Sequence, residues 1–146
     1  MNVYLDTSAI VPLVIHEVTS ARATLLWERA DRCASSVLAD VETQAALAQA
    51  RRQGRLDDDQ LALARRQLDE LLRQMVLFDV TRPIVARAGV LAADEGLRAY
   101  DAVHLASAEL AEADELVLVT GDRLLARAAG RQGLGVADLH SDNPTI

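Results

Sequence analysis

Lysine is absent from this sequence, and all 15 of its basic residues are arginine. That absence excludes the phosphoryl-accepting receiver layout, which needs a lysine at the end of its last strand. Cysteine occurs once, at position 33, so no internal disulfide forms, and a structural zinc site would need several Cys or His ligands. Aromatics make up 3% of the chain, leaving alanine, valine and leucine to fill a core. No apolar run approaches the roughly 18–20 residues that cross a bilayer. The opening MNVYLDTSAI lacks a basic stretch ahead of its apolar residues, so no signal peptide is expected. A reducing cytoplasm is the expected setting. Neither GxxxxGK[ST] nor GxGxxG occurs, which excludes the common phosphate-cradling loops.

What is present is a 146-residue chain, 51% apolar, expected to fold as a single domain over 1–146. Its net charge of −7 argues against a simple nucleic-acid binder, because phosphate contacts need cations. A carboxylate cluster built to hold metal would inflate that figure, and arginine suits bidentate phosphate contact. Compositional bias accounts for most of the missing lysine.

Short apolar runs alternate with amphipathic stretches. Strands are expected at 2–6, 33–36, 76–80, 116–120 and 135–139. Helices are expected at 8–17, 19–32, 37–53, 58–75, from Pro83 to Gly96, at 100–113 and at 122–132. Pro12 is compatible with the first helix only in its opening turn. This order implies an α/β fold, a three-layer α/β/α sandwich around a mostly parallel sheet. The helical pair near 37–75 could form an exposed arm that dimerises or touches RNA, with Arg51, Arg52 and Arg55 ending its first helix and Arg65 and Arg66 on its second. Leu61, Leu68, Leu71 and Leu72 favour packing for it first.

Open α/β sheets bind ligands at the carboxyl ends of their strands. Asp6 ends the first strand, and Asp122 follows the LVLVT strand across Gly121. Glu42 lies on the 37–53 helix beside an expected inward stripe of Leu38, Val41, Ala45 and Ala48. Asp101 sits one turn before His104 and Leu105 on an apolar helix. Each acid also has an ordinary reading. Asp6 and Asp122 are good helix N-caps, Asp101 complements a helix dipole, and Glu42 is a solvated or arginine-paired residue. Four carboxylates converging on one sheet edge would, however, repel one another without bound cations. Asp40 faces another side of its helix.

YLDTSA, SSVLADVET, YDAVHLASA and LVTGDRLLARAA, in that order, resemble the motifs of PIN-domain ribonucleases, with spacing similar to VapC-type toxins. The resemblance runs from Val3 to about Val136. It implies that Asp6, Glu42, Asp101 and Asp122 bind Mg2+ or Mn2+, with Ser8 and Thr120 orienting them from behind. It also implies endonucleolytic cleavage of RNA, a protein antitoxin and a homodimer. Carboxylate oxygens suit such hard ions, which would activate a water for in-line attack on phosphorus. His104 is read first as a packed helix residue, and Arg123 and Arg127 as a solvated face. The competing reading is a catalytically silent PIN-like module that binds RNA or protein.

Overall fold

The computed structural model describes residues 1–111 and 116–141. Five strands form one sheet: β1 (Asn2–Leu5), β2 (Arg32–Ser36), β3 (Val76–Phe78), β4 (Leu116–Thr120) and β5 (Gly135–Asp138). Their order is β3-β2-β1-β4-β5 and every pairing is parallel. The chain therefore winds outward from β1 to one edge, returns, and winds outward again from β4. The switch between the two directions falls between β1 and β4, where open parallel sheets leave a crevice at their carboxyl ends.

The side-chain period of two in the central strands divides the core into two layers. Val3, Leu5, Val117 and Val119 pack with α1 (Thr7–Val14), α2 (Ser20–Arg29), α3 (Leu38–Arg52) and α4 (Asp58–Arg73). Tyr4, Ala34 and Leu118 face α5 (Arg82–Glu95), α6 (Ala99–Leu110) and α7 (Arg123–Arg131). The α/β/α sandwich expected from the alternation is therefore present. Helix punctuation follows the local chemistry. Asp57 and Gln60 form a reciprocal capping box at the start of α4. Gly96 ends α5 at φ 67°, a conformation that a residue without Cβ adopts without steric cost.

Three local expectations need correction. Pro12 lies in the interior of α1 rather than its first turn, since the helix opens at Thr7. It removes the backbone donor for the Ser8 carbonyl, a loss limited because only two helical residues follow. The inward stripe of α3 is Ala39, Thr43, Leu47 and Ala50, while Val41 is exposed. Helix α2 ends at Arg29, because Arg32 pairs with Asn2 and draws the chain into β2 three residues later. The expected end of the 100–113 helix falls partly outside the described residues. Among the described residues no helix is long and apolar enough to cross a membrane.

Candidate active site

β1 ends at Leu5, and the next residue turns into α1 with Asp6 as its N-cap. This turn sinks the Asp6 carboxylate to 3% exposure, at the mouth of the switch between β1 and β4. Its acceptors are met by neutral donors. The Ser8 hydroxyl donates at 2.7 Å to Oδ1 and lies 2.9 Å from Oδ2. The Thr120 hydroxyl donates to Oδ2 at 3.0 Å, and the Ala9 amide to Oδ1 at 3.2 Å. Two backbone amides orient these hydroxyls. Gly121 N–H donates to Ser8 Oγ at 2.7 Å, and Asp122 N–H to Thr120 Oγ1 at 2.9 Å. Each hydroxyl oxygen thus accepts an amide proton, leaving its own proton for Asp6. Burial pushes the Asp6 carboxyl up to about 6, opposed by the electrostatic influence of nearby His104 and by these hydrogen bonds.

Asp122 caps α7, and its Oδ1 accepts from the amides of Leu124 at 2.7 Å and Leu125 at 3.0 Å. Its other oxygen is left facing Arg98, whose Nη2 stands 3.4 Å away. Arg98 Nε also donates to Asp101 Oδ2 at 3.0 Å, so one guanidinium bridges two of the four acids. The capping reading of Asp6 and Asp122 and their gathering at one sheet edge are therefore both true.

Glu42 extends from α3 beside the buried Thr43, and its Oε1 lies 2.8 Å from His104 Nε2. His104 sits one turn beyond Asp101 on α6 and is buried to 1% exposure. Its Nδ1 meets the Tyr4 hydroxyl at 3.1 Å, and Thr7 Oγ1 lies 3.3 Å from Nε2. Burial pushes the Tyr4 phenol well above its usual range, so it stays protonated and able to donate. With Nδ1 accepting from the Tyr4 hydroxyl, Nε2 carries the N–H that Glu42 accepts.

The structure thus links Asp6, Asp122 and Asp101 through hydroxyls, an amide and Arg98, and holds Glu42 separately against His104. His104 is packed, as the sequence suggested, yet it is also a direct partner of Glu42. Arg123 and Arg127 are exposed, and Asp40 is exposed as well. Sequence reasoning missed Arg98, Tyr4 and Thr7. For Arg98 a signal existed in its i,i+3 spacing from Asp101 at a helix start. Tyr4 gave none beyond lying on the opposite strand face from Val3 and Leu5.

The four acids supply only hard oxygen donors, which suits a divalent cation such as Mg2+ or Mn2+. A fully buried Asp6 that accepts only from neutral donors also favours a nearby positive charge. As placed, no three acidic, histidine or cysteine side chains among the described residues are gathered to hold one ion. A cavity of about 360 Å3 lined by Trp27, Asp31, Cys33 and Val76 opens at the amino edge of the sheet, away from these acids.

Residues 3–131 match the PIN domain family. The chain is 39% identical over 140 residues to Ribonuclease VapC45 of Mycobacterium tuberculosis, covering 96% of this chain and 97% of that one. Its fold is similar to the crystal structure of PAE2754 from Pyrobaculum aerophilum. The TM-score is 0.67 at 26% identity, over 93% of this chain and 83% of that one. It is also similar to VapBC-5 from Mycobacterium tuberculosis, a member of the VapBC family of toxin–antitoxin systems. Here the TM-score is 0.62 at 20% identity, over 94% and 98% of the two chains.

Proposed function

This chain belongs to the PIN-domain family, and from that premise we propose that it is a Mg2+- or Mn2+-dependent endoribonuclease, the toxin of a toxin–antitoxin pair. The observation that carries this reading is the anchoring of Asp6 by Ser8 and Thr120 at the β1–β4 switch, with Asp122 fixed by the same knot. The 39% identity to a protein named a ribonuclease supports the substrate class, and the likeness to a toxin–antitoxin structure supports an antitoxin partner. A homodimer and a cytoplasmic setting belong to the same reading, the latter consistent with a buried, unpaired Cys33.

Asp6, Glu42, Asp101 and Asp122 would hold the metal. When bound, the ion lowers the pKa of a water and offsets charge on the phosphate. The chain's own residues supply the geometry. Ser8 and Thr120 fix the Asp6 carboxylate so that it cannot rotate away from the crevice, and the Gly121 and Asp122 amides fix the hydroxyls. His104 holds Glu42 toward the same edge. No nucleophilic side chain is required. Cys33 is buried on β2, with its thiol pushed up to about 11 by burial.

The test is cleavage of total RNA by purified protein with Mn2+, with excess chelator, and by an Asp6→Asn variant. Cleavage that needs metal and is lost in the variant supports the reading. Cleavage by the variant equal to wild type would remove Asp6 from the catalytic role. Metal and RNA binding without cleavage would favour the silent module.

A further inference from the structure

We propose that Arg98 is a resident counter-ion that occupies the cation position between Asp101 and Asp122 and that a divalent ion must displace it to bind. This rests on the metal-dependent reading above. The geometry begins with Asp122, which commits Oδ1 to the amides of α7 and leaves Oδ2 open. Asp101, three residues into α6, offers Oδ2 on the same side. Both oxygens meet one guanidinium, at 3.0 Å from Nε and 3.4 Å from Nη2. Two carboxylates against one guanidinium leave the trio with a net charge of −1, and the charge of Glu42 also acts on Arg98. The position therefore attracts more positive charge than arginine brings.

Arg98 is built to leave. It is the N-cap residue of α6, but it caps through its backbone, and its side chain makes no capping bond. Its carbonyl accepts from Ala102 N–H at 3.0 Å, which fixes the main chain whatever the side chain does. The side chain is 80% exposed, whereas Asp101 and Asp122 are 15% and 27% exposed. Swinging the guanidinium into solvent uncovers both carboxylates, with Asp122 still anchored through Oδ1, and gives up little packing. Exposed ion pairs are weak and screened by salt, so the bridge holds ions back without sealing the site. The arrangement keeps like charges apart in the metal-free protein and sets a threshold concentration for loading.

The test is Mn2+ binding, read from the free-ion signal in electron paramagnetic resonance, with no RNA present. Wild type, Arg98→Gln and Arg98→Lys are compared at low and high ionic strength. Arg98→Gln should bind Mn2+ roughly twofold to fivefold more tightly at low salt, the range expected for losing an exposed competing ion pair. Arg98→Lys should lie between the two, and the differences should shrink as salt rises. Equal or weaker binding by Arg98→Gln would overturn the proposal and leave the metal-dependent reading standing. No saturable binding by any of the three would overturn both.

Discussion

His104 Nε2 stands 2.8 Å from Glu42 Oε1, so a fully buried imidazole on α6 positions an acid on α3 from the opposite layer of the sandwich. Removing the ring leaves the Tyr4 hydroxyl without this partner and opens a cavity beneath the site. His104→Ala should cost about 2–4 kcal/mol of stability. Cleavage should fall roughly tenfold to a hundredfold, as when the residue orienting a metal ligand is lost. His104→Gln, which keeps a donor for Glu42, should recover part of both losses. Urea unfolding and cleavage rates check this; full activity in His104→Ala would remove it from the positioning role.

The Asp6 carboxylate is ionised at the expense of folding. Its folded value of about 6 lies above the ordinary 3.8. The neutral form therefore favours the folded state, and that contribution is complete below pH 3.8 and lost as pH rises through about 6. Asp6→Asn is neutral throughout. In metal-free buffer it should match wild type below about pH 4 and exceed it above pH 6 by up to about 3 kcal/mol. Added Mn2+ should raise the melting temperature of wild type and leave the variant unmoved. A gain that stayed constant from pH 4 to pH 8 would show that relief of a buried charge is not its source.

Much of this site was legible in the sequence because apolar strands end abruptly in acids: NVYL before Asp6 and LVLVT before Gly121-Asp122. The strand pattern fixes where those carboxylates must emerge. Helix α3 was less legible. Its alanines lie on several sides, so composition alone did not distinguish a face through Val41 from the one through Thr43 and Leu47. Packing against α1 and α4 decides between them. Arg98 was hidden for another reason, since its second partner lies 24 residues away and meets it only when α6 and α7 are set side by side. The corrected α3 face still leaves Glu42 beside the buried stripe, next to Thr43.

Gly121 supplies one of the two hydroxyl-orienting amides, its N–H holding Ser8 Oγ. A Cβ there would stand 3.4 Å from Ser8 Oγ, an ordinary contact. Gly121→Ala should therefore fold and cleave close to wild type. Valine adds two methyl groups against Ser8, which must shift or overpack at about 1–3 kcal/mol. Because Ser8 sets the Asp6 carboxylate, Gly121→Val should lose roughly a hundredfold in kcat, the scale of an ångström-level misplacement. Equal turnover by the two variants would show that Ser8 does not transmit its position to the chemistry.

Away from the acids, Arg87 on α5 grips Glu109 on α6 with two parallel bonds of 2.7 Å. Its Nη2 also donates to Gln132 at the end of α7, at 3.1 Å, so one side chain ties together three helices on one face of the sheet. Both partners of the ion pair are partly exposed, which limits its worth, while the paired geometry places it above a simple surface contact. A double-mutant cycle through Arg87→Ala and Glu109→Ala should give a coupling of about 0.5–1.5 kcal/mol that declines with added salt. Glu109 lies two turns beyond Asp101, so Glu109→Gln should leave the rate of RNA cleavage unchanged while lowering the melting temperature. A matching loss of cleavage at a temperature where the variant is fully folded would mean that this clamp positions α6 for catalysis as well as for stability.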